Sequence, residues 1–271
     1  MKVAKNLTKY AVLGIFLLFS VFPFYWMIIG STNPSMYMFL NPPRFNIGIE
    51  LLNNLSTLDS RINVFRILLN STIVSIFTLV LSLTISAMAA YALSKFKFKG
   101  SNLILMVLLI SQMIPVQTRI IPLFRMMAYF NLLNTYFALI APILVYPLGI
   151  FLLKQNFEAV PDAILESARL DGANELMVFL RIVLPSMKPA LAATSILIFM
   201  NSWNNFMWPL VASRTADMFT FPVALSSLTG ATYTDYGQIM TGLSIATIPI
   251  VIFFLILQKH FVSGMLGSAV K

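Results

Sequence analysis

Six apolar runs dominate this chain, at roughly Tyr10–Gly30, Ile67–Leu93, Asn102–Phe124, Leu133–Leu153, Pro189–Val211 and Ile239–Gln258. Each is long enough for a helix to cross about 30 Å of hydrocarbon, which takes about 20 residues. Inside a bilayer every backbone polar group must be satisfied internally, so only helices or a closed barrel can span it. A barrel needs short alternating strands, whereas these runs are continuous and rich in Leu and Ile. The expectation is an all-α integral membrane protein with six transmembrane helices. Only 10% of the 271 residues are charged and 59% are hydrophobic. A soluble domain carries about 25% charged residues. Every region lies near a candidate span, so a single transmembrane domain over 1–271 is predicted, with no separate soluble catalytic domain.

The net charge of +9 follows membrane topology and does not point to nucleic acid. With the N-terminus inside, the inner loops hold Lys2, Lys5, Lys9, Lys95, Lys97, Lys99, Lys154, Arg169, Arg181, Lys188, Lys259 and Lys271. The outer loops hold Arg44, Arg61, Arg66, Arg119, Arg125 and Arg214, half as many. The positive-inside bias therefore predicts a multi-pass membrane protein with both termini cytoplasmic. The first run is too long for a signal-peptide core and lacks a small-residue cleavage site, so it is expected to be a retained span. The longest outer loop, Ser31 to Arg66, carries Asn33-Pro34, Asn41-Pro42-Pro43 and Asn53-Asn54, which favour turns over regular structure.

Catalysis finds little footing. There is no cysteine and one histidine, His260, so no metal site is expected. No Gly-x-x-x-x-Gly-Lys-Ser/Thr occurs, so the chain cannot hydrolyse ATP by itself. No span carries a carboxylate or lysine near its centre, which counts against a proton- or sodium-driven carrier.

The spans are polar or broken at particular points. The third carries Gln112, Pro115, Gln117 and Thr118 and ends at Pro122; the fourth carries Pro142, Pro147 and Gly149. Such breaks suit either a pathway that reshapes or kinks locked by packing. The fifth ends in Asn201-Ser-Trp203-Asn204-Asn205-Phe206-Met-Trp208-Pro209. At ~1.5 Å per residue, Asn201 lies about 18 Å above Pro189, past mid-bilayer. Amides match sugar hydroxyls, and aromatic faces cover the C–H faces of a pyranose. Asn201, Trp203, Asn204, Asn205 and Trp208 are therefore candidate pathway residues. The competing reading is an interfacial aromatic belt whose asparagines bond neighbouring helices.

Between the fourth and fifth spans the composition changes. From about 156 to 188, charges (Glu158, Asp162, Glu166, Arg169, Asp171, Glu175, Arg181, Lys188) interleave with apolar residues at helical spacing. Pro161-Asp162 is a helix start and Gly172 an interruption. A short helix, a bend and a second short helix are predicted, too short to span but able to dock on a partner.

Glu166-Ser167-Ala168, three residues, Gly172, nine residues, then Ile182-Val183-Leu184-Pro185 resembles the EAA loop of ATP-binding-cassette importer permeases. Every spacing matches; Ser167 replaces an alanine. The likeness covers nearly the whole chain and is closest to the carbohydrate-uptake permeases of six-span maltose type, with the type I importer permease fold and a helix–Gly–helix coupling loop. It implies ATPase coupling through Glu166, Ser167, Ala168, Asp171, Gly172, Ile182, Leu184 and Pro185. Glu166 is the implied anchor, Ala168 the point of close approach and Gly172 the bend. It also implies a heterodimer with a second permease subunit, two ATPase subunits holding ATP-Mg, and an extracytoplasmic substrate-binding protein, with no cofactor bound directly. The small-residue tail, Phe261 to Lys271, resembles tails that reach the seam between the ATPases. The implied cargo is a sugar or oligosaccharide. The alternatives are an ion-coupled secondary carrier, or non-sugar cargo such as glycerol phosphate. Phosphorylated cargo would call for arginines in the cavity, for which Arg119 and Arg125 are candidates.

Overall fold

The structure, a computed structural model, describes the backbone of residues 2–42, 45–229 and 234–268, and side chains within 6–42, 45–229 and 234–259. Tyr233 and the side chains of His260 and of the tail lie outside the described residues. Among the described residues there is no β-strand beyond an isolated bridge between Thr229 and Thr234.

Three helices are continuous and apolar enough to cross a membrane: α1 (Lys2–Thr32), α3 (Val64–Lys95) and α14 (Tyr236–Ser268). The apolar window of α3 is 44% buried, against 6% for α1 and 11% for α14. α3 is thus the most deeply packed of the three.

The remaining spans are broken. The third predicted run is two helices, α4 (Ser101–Ser111) and α5 (Val116–Tyr129), bent by 96°. The fourth comprises α6 (Tyr136–Ile140), a 3₁₀ turn and α7 (Pro147–Glu158), bent by 47°. With each bent pair counted as one span, a third such pair being described below, the described residues hold up to six. Proline explains both positions. Pro115 precedes α5 with extended ψ, and Pro147 opens α7, where a missing N–H costs nothing.

The packing groups the chain into two compact units: 1–68 with 223–249, and 69–222 with 250–271. In the first, the outer loop is more regular than its turn residues suggested. It contains α2 (Leu51–Ile62), closed by Asn63 in the left-handed region. Asn54 Nδ2 donates to Ser31 O (2.9 Å) and Asn33 O (3.1 Å), satisfying carbonyls at and just beyond the end of α1. Leu58, Val64 and Leu228 form the apolar core there.

The second unit holds both candidate sites. Its larger core joins α3 to α7 through Ala87, Ala90, Tyr91, Leu153 and Phe157. Small residues let these backbones approach closely. A Cβ on Gly149 would fall 2.8 Å from the Tyr146 ring and 3.1 Å from Thr194. A second core forms around Val74, Met127, Leu139, Trp208 and Ala212.

Candidate functional site

The loop after α7 folds as its pattern predicts. α8 (Asp162–Leu170) starts behind Pro161 with an acid in its first turn and Arg169 in its last. Gly172 ends it at φ +87°. The Gly172 N–H donates to Arg169 O and the Ala173 N–H to Ala168 O, both at 3.0 Å. That pair of bonds is a Schellman closure, which needs a left-handed residue at Gly172. Asn174 then caps α9 (Glu175–Val178), its Oδ1 accepting from Met177 N at 2.8 Å. A π-helical turn, Phe179–Val183, leads into α10 (Leu184–Ser186). From there the chain bends by 84° into the span formed by α11 (Lys188–Trp203) and α12 (Met207–Ala212).

The loop has two faces. Leu165, Ala168, Val178, Phe179 and Val183 are buried on the α3–α7 core. Glu166, Ser167, Asp171, Gly172 and Pro185 are exposed, as are Leu170 (89%), Leu176 (61%) and Leu180 (49%). Ala168, the implied point of close approach, packs against this chain's own bundle. Ile182 and Leu184 are half-buried against the same core. Glu166 makes no ion pair or side-chain hydrogen bond among the described residues.

Charged groups tie the loop to α3. Lys95 Nζ donates to Val160 O (2.6 Å) and to Asp162 Oδ1 (2.8 Å). Glu175 bridges the two sides of the Gly172 bend: Arg169 Nε donates to its Oε1 (2.6 Å) and Tyr91 Oη to its Oε2 (3.0 Å). The hydrogen bond from Arg169, aided by Tyr91, holds the Glu175 carboxyl below its ordinary value of 4.5. The hydrogen bond from Lys95 holds Asp162 below 3.8. Sequence reasoning noted these charges but missed the bridge, because Tyr91 is 84 residues away from Glu175.

A carboxyl whose folded-state pKa is lowered stabilises the fold above its unfolded pKa. That contribution disappears as pH falls through the lower folded value. Protection of residues 162–186 from hydrogen exchange, corrected for intrinsic rates, should stay flat from pH 7 to about 5 and fall below about 4. Glu175→Gln should shrink that acid step. A step centred near pH 6 would contradict the assignment.

The second site is a cavity of about 680 Å³ lying where three breaks meet. The α4–α5 break and the first turns of α5 supply Gln112, Gln117 and Arg119; the α6–α7 break supplies Pro142, Val145 and Tyr146. The α11–α12 break supplies Asn201, Asn204, Asn205, Phe206 and Trp208. Non-helical backbone within a span is tolerated where it lines such a space. The side-chain amides of Gln112, Gln117, Asn201, Asn204 and Asn205 have no hydrogen-bond partner among the described residues. Aromatic faces lie beside them, from Tyr146, Phe206 and Trp208.

Four of the five predicted pathway residues line this space: Asn201, Asn204, Asn205 and Trp208. Trp208 is anchored, its Nε1 donating to Ala138 O at 2.7 Å. Trp203 is not there. It lies one turn beyond Phe199 and stacks on it at 5.6 Å, only 3% exposed. Arg125 does not line the cavity, whereas Arg119 does. Gln112, Gln117 and Tyr146 join the site only because separate breaks converge; no local signal assigned them to one pocket.

Residues 82–267 match the family described as the inner membrane component of binding-protein-dependent transport systems. The chain is 35% identical over 258 residues to the arabinooligosaccharides transport system permease protein AraQ of Bacillus subtilis, covering 93% of this chain and 90% of that one. It is 33% identical to the lactose transport system permease protein LacG of Rhizobium radiobacter, covering 97% and 96%. It is also 31% identical to the sn-glycerol-3-phosphate transport system permease protein UgpE of Yersinia pestis, covering 95% and 94%. Its fold matches a chain of a bacterial ABC transporter that imports the acidic polysaccharide alginate, with a TM-score of 0.80 at 23% identity, covering 95% and 96%. The chain belongs to the family of inner membrane components of binding-protein-dependent transport systems, the permease subunits of ATP-binding-cassette importers.

Proposed function

We infer that this permease imports a sugar or oligosaccharide through the cavity at the three helix breaks. Its expected assembly is a heterodimer with a second permease, two ATPase subunits carrying ATP-Mg, and an extracytoplasmic binding protein that delivers cargo. The exposed face of the 156–188 loop, with Glu166 unpaired and Leu170 projecting, is the surface for an ATPase on the cytoplasmic side. ATP favours one arrangement of the ATPases over the other, and that differential shifts the spans between inward- and outward-facing states. The loop moves with the bundle because its inner face is part of the bundle's core.

One observation carries the cargo reading: five unspent amides beside Tyr146, Phe206 and Trp208 in one cavity. That set supplies donors and acceptors for hydroxyls and faces for C–H surfaces. AraQ and LacG, named for arabinooligosaccharide and lactose transport, agree with it.

The test uses the complete importer in proteoliposomes with radiolabelled oligosaccharide. Asn201→Ala with Asn204→Ala should lower ATP-driven uptake by about tenfold, since each lost hydrogen bond is worth roughly 0.5–1.5 kcal/mol. Co-purification with the ATPase should persist. Unchanged uptake kinetics would remove the cavity from the transport path.

A further inference from the structure

The cavity wall carries one permanently charged side chain, Arg119, and no carboxylate. On α5, Val116, Ile120 and Leu123 line the same space, so helical spacing places Arg119 on the face turned to it. Arg119 forms no ion pair or hydrogen bond among the described residues. The other polar groups of the wall are mainly amides, which bring no negative charge. A guanidinium stays protonated at every physiological pH. Wherever water is excluded, such a cation is costly unless it meets a counter-ion.

The geometry points to the cargo as the source of that counter-ion. The cavity takes a saccharide bearing an anionic group, a carboxylate or a phosphate, and Arg119 is its specificity-determining residue. The guanidinium's planar fork matches either anion through two parallel hydrogen bonds. Asn201, Asn204 and Gln117 hold the hydroxyls. At about 680 Å³ the space suits one or two sugar rings. A neutral saccharide would satisfy the amides but leave the cation unmatched when the path closes. This assignment rests on the cargo reading above and narrows it.

The test is equilibrium binding to the complete importer in nanodiscs, with digalacturonate, galactobiose and galactose 6-phosphate as probes. Wild type should prefer a charged probe over galactobiose by at least about tenfold, and that preference should fall several-fold between about 0.05 and 0.3 M salt. Whichever charged probe wins identifies carboxylate or phosphate as the group recognised. Arg119→Gln should bring the charged probes down to the level of galactobiose, and Arg119→Lys should keep part of the preference. Galactobiose binding by the Gln variant reports that the complex still folds; if it does not fold, the Lys variant and the salt series decide. Equal binding of charged and neutral probes by wild type would overturn the proposal. So would an Arg119→Gln complex that keeps the preference, because the anion would then be held elsewhere. A preference for galactobiose would overturn it too, pointing to a carboxylate of the second permease as the partner of Arg119, with the sugar reading intact. Failure of all three probes to bind would sink both readings.

Discussion

Replacing Gly172 with proline should abolish import, while insertion into the membrane persists. Gly172 sits at φ +87° and its N–H closes α8 by donating to Arg169 O at 3.0 Å. Proline is held near φ −65° and has no N–H, so it can neither adopt the bend nor make the bond. It also disfavours the helical conformation at the preceding residue, here Asp171 at φ −73°, ψ 3°. The exposed face bearing Glu166 would then leave its register with the buried face. Alanine is the graded control. Nothing lies within 4 Å of a Cβ at Gly172, so no clash arises. Only the left-handed strain remains, about 1–2 kcal/mol. Gly172→Ala should therefore lower uptake without eliminating it. Proteoliposome uptake beside ATPase co-purification reads both, and normal import by Gly172→Pro would refute the role of the loop.

The second large effect concerns Glu175. Removing its carboxylate by Glu175→Ala should leave ATP hydrolysis running while uptake per ATP falls by about tenfold. The Arg169–Glu175 pair is well exposed, with side-chain accessibilities of 39% and 43%, so by itself it is worth only about 0.2–1 kcal/mol. Tyr91 is different. It is 5% exposed and packs against Phe96, Phe157 and Phe179. Leaving its hydroxyl without an acceptor costs about 1–3 kcal/mol. Glu175 thus acts as a positioning residue that joins both sides of the Gly172 bend to α3. Tyr91→Phe removes the donor as well as the bond, so it should be milder, and Tyr91→Phe in the Glu175→Ala background should add little. The readout is the ratio of cargo moved to phosphate released. A Glu175→Ala importer with an unchanged ratio, or one whose ATPase activity falls in step with uptake, would remove the coupling role from this bridge.

The local order of residues made part of this legible. Continuous apolar runs announced six spans, because hydrocarbon admits only helices or barrels. Pro161 and Gly172 announced the loop, because each acts within a few residues of itself. Pro115 and Pro147 announced weak points in the third and fourth runs, but not a 96° turn in one and 47° in the other. Angle depends on what packs at the break, which proline alone does not specify. The outer loop was misjudged for a similar reason. Asn33 and Asn54 read as turn formers, yet their side chains serve the carbonyls at the end of α1 and of the adjoining loop.

Within the sites the same division holds. The sequence alone determined the chemistry on offer: amides with aromatics at the end of the fifth apolar run, and a bent amphipathic loop between the fourth and fifth runs. Only the tertiary structure decided where the members of those sets lie. Trp203 and Trp208 are five residues apart in the same motif, yet one stacks in the bundle and the other lines the cavity. Ala168 and Glu166 are two apart, yet one is buried on α3 and the other faces out. Helical phase separates each pair, but which phase is inside depends on the partner helices. Those partners come from distant stretches, as when Arg119 and Asn201 line one cavity or Tyr91 meets Glu175, and no local spacing encodes that meeting.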